Sequence, residues 1–331
     1  MEKDTRLDLL TEWVRQFDGF SGVCPVPVSV DASFRRYFRI ETKQDYIVMD
    51  APPLLEDTKA YITISGYLAG MGLNCPRVLK ADIERGFLLL TDLGSIQYLE
   101  QIKANQSKAN TLYSDAIDAL LVIQKSGVSV QNELPSYDDQ LLYSELSLFR
   151  EWLCERHAGL VFTDEDDYRW QLVCQELVGC ALAQPKVFVH RDYHSRNLMV
   201  MPENNPGILD FQDAVEGPYT YDLVSLLKDC YVKWPQEVTR SRARYFFEKM
   251  EISDITKQRF LQDFDLMGVQ RHLKAAGIFA RLLHRDNKKS YINDVPRTLS
   301  YIIDLAPRYP ALEFLSEVIE LRLLPAFAET L

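Results

Sequence analysis

Apolar side chains at positions 7, 10, 13, 14 and 17 recur at three- and four-residue steps, so residues 4–18 are expected as an amphipathic helix. The period then shortens. A proline-bounded apolar run at 26–30, a turn at Asp31-Ala32-Ser33, and alternating or continuous apolar runs at 34–41 and 45–50 read as three strands. Residues 57–70 return to helical spacing, with Ile62, Leu68 and Met71 inward and Gly72 as the stop. Runs at 77–83 and 87–90 read as two more strands, completing a small antiparallel sheet. From Ser95 onward long helical patterns dominate, at 107–124, 138–156, 165–182, 220–232, 237–250, 255–284, 291–305 and 311–323. One hairpin interrupts them. An apolar strand at 186–189 leads to a polar loop, a short apolar run at 198–201 follows, and after a turn at 202–207 a last strand ends on Asp210.

Composition narrows the class. With 331 residues and 47% hydrophobic content the chain can bury a large core in two lobes or domains. The formal net charge of −11 (37 Lys and Arg against 48 Asp and Glu) lacks the basic footprint of a nucleic-acid binder. No basic-plus-apolar leader opens the sequence, and no apolar run approaches the roughly 20 residues that span a bilayer. Six cysteines without a C-x-x-C pair, mostly in apolar surroundings, read as buried reduced thiols, and the expected location is the cytoplasm. No obligate protein partner is evident. Neither a Walker-type phosphate loop nor a dinucleotide G-x-G-x-x-G occurs.

The hairpin carries the chemistry. Its order is His190, Asp192, His194, Asn197, then Asp210. Phosphoryl transfer needs a carboxylate that orients the attacking hydroxyl and accepts its proton, and oxygen ligands that hold Mg²⁺ against the phosphates. In H-x-D-x-x-x-x-N the Asp does the first task; the Asn and a later strand-end Asp do the second. Asp192 is therefore the candidate catalytic residue, and Asn197 and Asp210 are the candidate metal ligands. From Asp210 to Asp222 there are 222 − 210 = 12 positions and no Ala-Pro-Glu follows, too short for the segment with which protein kinases dock peptides. A small acceptor is favoured.

The pattern His-x-Asp-x-His-x-x-Asn resembles the aminoglycoside phosphotransferase and choline kinase superfamily. That resemblance implies an α+β, bilobal, protein-kinase-like fold, with a β-sheet N-lobe over 1–94 and a mostly helical C-lobe over 95–331 containing the catalytic hairpin 186–213. It also implies ATP and Mg²⁺ as cofactors. The loop Ser33-Phe34-Arg35-Arg36 stands where these enzymes cover the nucleotide phosphates, so Ser33, Arg35 and Arg36 are expected at the phosphate tail. The strand that normally carries a phosphate-clamping Lys reads Tyr46-Ile47-Val48-Met49-Asp50, with Met49 at the lysine position. Without that Lys its usual Glu partner has no purpose, and Glu56 is given no role. By fold analogy the backbone from Leu90 through Asp92 to Leu93 pairs with the adenine edge.

Several stretches together resemble one subgroup, the anomeric amino-sugar kinases that phosphorylate C1 of N-acetylmuramate and N-acetylglucosamine in cell-wall recycling. They are 32–39, 48–53, 90–94, 190–197, 209–214 and 268–282. The resemblance implies an amino-sugar substrate and a sugar 1-phosphate product. On the last stretch Arg271, Lys274, Ile278, Arg281 and Arg285 form a mainly basic stripe. Arg271 is the candidate partner of the muramate carboxylate; a solvated face paired with acidic neighbours is the competing reading. His194 borders the acceptor side by position, with substrate contact and loop packing both open. Asp213 has two open roles, acceptor binding or loop bracing. Two other functions stand beside this one: a kinase of an aminoglycoside or choline-like acceptor, and a nucleotide-binding pseudokinase.

Overall fold

The computed structural model describes residues 4–30 and 34–329. Ser33 therefore lies outside the described residues. The chain forms two compact units, one from residues 1–108 with 197–213, the other from 109–196 with 214–331.

The first unit is built on an antiparallel five-stranded sheet ordered β1-β2-β3-β5-β4, with β1 Val26–Val30, β2 Arg36–Ile40, β3 Tyr46–Asp50, β4 Val78–Asp82 and β5 Phe87–Thr91. Helix α1, Thr5–Val14, is capped by Asp4, whose carboxylate accepts the Leu7 N–H. Its Leu10, Trp13 and Val14 pack on Phe38, Val48, Phe87 and Leu89, which closes one face of the sheet. Helix α2, Thr58–Gly70, starts from an Asp57 cap. Its buried face is Tyr61, Ile64 and Leu68, not the expected Ile62, Leu68 and Met71. The face is rotated because Tyr61 packs on Phe211 (ring centroids 4.8 Å apart) and Ser65 donates to the Pro76 carbonyl. Gly86 has φ +75°, and its carbonyl accepts the Ala51 N–H at 2.8 Å; a Cβ there would sit 1.8 Å from the Ala51 oxygen, so only glycine fits. Helix α3, Tyr98–Ala104, ends the unit's N-terminal portion.

The hairpin 197–213 belongs to this unit, although the sequence reading places the whole of 186–213 with the helical lobe. Its ladder is only β7 Leu198–Met199 against β8 Gly207–Ile208, shorter than expected. Bridges from Asn74 to Gly207 and from Gln97 to Met199, with Val200 N–H donating to the Ile96 carbonyl, attach it to the unit.

The second unit is mostly helical. It contains α4 Ala109–Gly127, α5 Asp139–Leu148 running on as a π-helix over Phe149–His157, and α6 Asp164–Leu182. Strand β6 Lys186–Val189 pairs with β9 Val215–Pro218, a strand the hydrophobic pattern does not announce. Then come α7 Tyr221–Leu227, α8 Gln236–Met250, α9 Lys257–Asp286, α10 Val295–Ile303, α11 Glu313–Glu317 and α12 Leu324–Ala328. Helix α9 is central. α5, the π-helix, α6, α7 and α10 pack around it, and every residue from Asp263 to Lys274 is buried. Gly277 lets α9 approach the start of the π-helix, where a Cβ would come within 2.3 Å of the Leu148 carbonyl carbon. One buried charge inside this helix is neutralised by its neighbours: Asp265 pairs with Lys228 at 3.0 Å and with Arg240.

Among the described residues no helix is long and apolar enough to cross a membrane. All six cysteines are free; Cys75, Cys154, Cys174 and Cys230 are buried, whereas Cys24 is exposed.

Candidate active site

Within the first unit, Asn197 and Asp210 flank the β7–β8 ladder, and the Leu209 N–H donates to the Asn197 carbonyl at 2.9 Å. This brings the two side chains together, with Asn197 Nδ2 3.4 Å from Asp210 Oδ2. Asp210 sits in the left-handed region (φ 59°), which turns the chain out of the strand. Phe211 is fully buried on Tyr61 and anchors the next position. Gln212 Nε2 donates to Asp210 Oδ1 at 3.0 Å and to Asp213 Oδ2 at 3.1 Å, so Asp213 is tied to the same cluster.

Arg35 joins them. Its Nη2 lies 3.2 Å from Asp210 Oδ1, and its Nε lies 3.6 Å from Glu56 Oε2. Glu56 also accepts the Phe34 N–H at 3.0 Å. Sequence reasoning leaves Glu56 without a purpose because the strand lysine is missing. Its cation comes instead from the segment before β2. Arg36 does not join the cluster: its fork is held by Asp4 and the fully buried Asp50, which also takes Arg6. Met49 is fully buried opposite Tyr37 and Leu88. Leu90 pairs in the sheet with Ile47 and Val78, and Asp92 is held by Arg39 and accepts the Gly94 N–H.

The donor chemistry of this cluster fits Mg²⁺. Asn197 offers an amide oxygen and Asp210 a carboxylate, both hard donors, and Mg²⁺ takes its remaining positions from water and phosphate oxygens. Among the described residues no group of three or more His, Cys, Asp or Glu side chains is placed to hold a metal ion.

Within the second unit, β6 delivers His190 and Arg191 to the Asp222 carboxylate, which accepts both backbone N–H groups at 2.6 and 2.9 Å. His190 is fully buried, and its Nδ1 accepts the Asp192 N–H at 3.2 Å. Downstream, Asp229 accepts the Ser195 N–H at 3.0 Å. The loop that carries Asp192 is thus clamped at both ends by carboxylates, Asp222 at its start and Asp229 at its end. Burial works against ionising Asp192, but Lys274 foremost, with Arg191 and Arg271, holds its carboxyl below the usual range. Burial pushes Asp222 the other way, up to about 7. His194 is nine-tenths buried, burial lowers its pKa so that the ring is neutral, and its Nδ1 has no hydrogen-bond partner.

The basic stripe of α9 is split. Arg285 pairs with Asp286 at the exposed end, as a solvated face would. Arg271 and Lys274 are buried. Lys274 Nζ lies 2.9 Å from both Glu145 Oε1 and the Tyr221 hydroxyl, and Glu145 also takes Arg191. Arg271 Nη1 reaches only the Cys230 thiol at 3.6 Å, and no carboxylate pairs with it among the described residues. Sequence reasoning does not pair Lys274 with Glu145 or set its charge to act on Asp192. The signal available is a charged residue at a position facing the apolar stripe.

Known proteins resemble this chain along its length. It is 44% identical to the N-acetylmuramate/N-acetylglucosamine kinase of Pseudomonas aeruginosa, over 96% of this chain and 97% of that protein. It is 45% identical to the protein of the same name from Pseudomonas putida, with the same coverage. The ADP-bound crystal structure of aminoglycoside phosphotransferase APH(2'')-Ib matches 90% of this chain and 98% of its own with a TM-score of 0.60, at 15% identity, a likeness of fold. The profile described as "Phosphotransferase enzyme family" (APH) matches residues 26–257, which include the Arg35 cluster, the braced Asp192 loop and the Asn197–Asp210 hairpin; the chain belongs to that family.

Proposed function

We propose that this protein is an ATP-dependent kinase that phosphorylates the anomeric hydroxyl of N-acetylmuramate and N-acetylglucosamine, yielding the sugar 1-phosphate for recycling of cell-wall sugars in the cytoplasm. Near-full-length relatives bearing the name of that kinase support the acceptor. The observation that carries the chemistry is Asp192, a half-buried carboxylate kept ionised by surrounding cations on a doubly braced loop.

In this reading Asp192 orients the anomeric hydroxyl and takes its proton as the hydroxyl oxygen bonds to the γ-phosphorus of ATP. The bond between that phosphorus and the β,γ-bridging oxygen breaks, and ADP leaves. Asn197 and Asp210 would hold Mg²⁺, which would supply charge neutralisation at the phosphates. Arg35, oriented by Glu56, steadies the phosphate tail with Ser33; Arg36, engaged by Asp4 and Asp50, supports the strand beneath. Met49 fills the place of the strand lysine with apolar bulk, and the backbone from Leu90 to Asp92 meets the adenine. His194, with its unpartnered Nδ1, bonds a sugar hydroxyl. Arg271 meets the lactyl carboxylate of the muramic sugar. The bond from Gln212 favours a bracing role for Asp213 beside Asp210.

An ADP-release screen with N-acetylmuramate, N-acetylglucosamine, kanamycin and choline tests this. Turnover is expected with the two sugars and is expected to fall about 10²–10⁴-fold in Asp192→Asn. Turnover confined to kanamycin or choline would replace the acceptor. No turnover, despite stabilisation by ATP, would make the chain a pseudokinase.

A further inference from the structure

Two guanidiniums beside the Asp192 loop lack carboxylate partners among the described residues, Arg271 and Arg196. Arg196 lies over two phenol rings, with its guanidinium carbon 4.7 Å from the Tyr231 centroid and 5.2 Å from that of Tyr291. Phe279 on α9 backs both rings, 6.2 Å from Tyr231 and 5.8 Å from Tyr291. The rings cover the π-surface of the guanidinium, and neither phenol supplies a negative charge for its in-plane N–H fork.

These groups converge on one short segment after α7. Asp229 holds Ser195, the Cys230 thiol takes Arg271, and Tyr231 carries Arg196 on its ring and meets the His194 ring edge-on at 5.3 Å. The Tyr231 N–H donates to Asp229 Oδ1 at 2.8 Å, and Arg297 donates to the Cys230 carbonyl at 3.0 Å, so the segment is fixed from both sides. Burial is the main cause of the lowered His194 pKa; Asp229 and Asp192 oppose it, and Arg271 and Arg196 add to it. Arg271 is buried and Arg196 half-buried; Asp192 and Asp229 act on Arg271 from a distance without an ion-pair contact, and an anion reaching both guanidiniums would offset their desolvation.

We propose that Arg196, clamped by Tyr231 and Tyr291, and Arg271, joined to them through the Cys230–Tyr231 segment, together form a carboxylate-binding subsite on the acceptor side. The ligand class is a neutral sugar bearing one carboxylate substituent. The inference rests on the sugar-kinase reading and deepens it. It assigns discrimination between the two amino sugars to residues outside the phosphoryl-transfer machinery. N-acetylmuramate carries the carboxylate; N-acetylglucosamine does not. The in-plane fork of Arg196 suits a bidentate carboxylate, which a lysine at this position cannot reproduce.

The test measures KM and kcat for both sugars in wild type, Arg196→Gln, Arg196→Lys and Tyr291→Leu, with calorimetric binding of each sugar to the same proteins. Arg196→Gln is expected to raise KM for N-acetylmuramate at least tenfold more than KM for N-acetylglucosamine. Arg196→Lys should recover part of the difference, and Tyr291→Leu should shift the ratio in the same direction by less. A purely structural role for Arg196 would shift both sugars equally, and that result overturns the subsite. If the wild-type protein turned over neither sugar, the kinase reading would fall and this inference with it; equal shifts in an active enzyme overturn the subsite alone.

Discussion

Arg35 reaches Asp210 from the segment before β2, with Nη2 3.2 Å from Oδ1, and the same guanidinium lies 3.6 Å from Glu56. A cation thus stands beside a proposed metal ligand although the strand position that usually supplies it is the buried Met49. Replacing Arg35 with Ala leaves Glu56 and Asp210 without their shared cation and, on the proposed role, removes a charge-assisted contact to the phosphate tail. Such contacts are worth roughly 1.5–3 kcal/mol, so kcat/KM for ATP is expected to fall about ten- to hundredfold. Arg35→Lys should recover only part, because the ammonium cannot serve two carboxylates in one plane. Steady-state kinetics in ATP at saturating sugar checks this. An unchanged KM and kcat in Arg35→Ala would remove Arg35 from the nucleotide side.

His272 gives a stability prediction. It is buried, its ring stacks on Tyr301 with centroids 4.6 Å apart, and its Nε2 lies 2.8 Å from the Lys228 carbonyl oxygen. Burial lowers its pKa to about 3 from the ordinary 6.5. The folded protein therefore holds the neutral ring while the unfolded chain takes up a proton. The contribution is fully present above pH 6.5 and is lost as the pH falls from 6.5 toward 3. At pH 5 the loss is about 2 kcal/mol. His272→Phe keeps the stack but has no proton to gain. It should be less stable than wild type at pH 7 through the lost hydrogen bond, and the gap should narrow by about 2 kcal/mol at pH 5. Urea midpoints at the two pH values measure the difference; a constant gap would show that another group governs acid sensitivity.

What can be read from the sequence is whatever is local. The order from His190 to Asn197 and on to Asp210 is set by a tight loop and a short hairpin, so spacing alone locates these residues. The strands of the first sheet follow from alternation at Phe38 and Ile40 and from the apolar run Phe87-Leu88-Leu89-Leu90. Strand β9 is not legible, because Glu216, Gly217 and Pro218 have no strand character and are extended by pairing with β6. The α2 face is misread because that helix is apolar on several sides, and only contact with Phe211 selects Tyr61. The pairing of Arg35 with Glu56 joins residues from separate elements, which periodicity cannot see. The buried charges of α9 are hidden for a similar reason. Lys274 is held by Glu145, and Asp265 by Lys228 and Arg240, all supplied by other parts of the chain.

Asp192 and the α7 carboxylate that braces its loop, Asp222, predict the pH profile. Asp192 is held below the ordinary carboxylate range, with cations overcoming burial, so it stays ionised throughout the neutral range. Asp222 is raised to about 7 by burial, and the Asp192 charge adds to this against the opposing His190 and Arg191 N–H groups. Above that pH, Asp222 accepts both N–H groups; below it, a proton occupies one oxygen and one clamp on the loop weakens. Activity should therefore fall as the pH drops through about 7, and the limb belongs to Asp222, not to Asp192. Asp222→Asn mimics the protonated form, with one oxygen acceptor and no titration. Its kcat/KM should lie near the wild-type value at low pH and should lose the limb near 7. A kcat/KM profile from about pH 5.5 to about 8.5 on both proteins decides the matter. A limb that persists unchanged in Asp222→Asn would assign it elsewhere and leave Asp222 as a brace without a pH response.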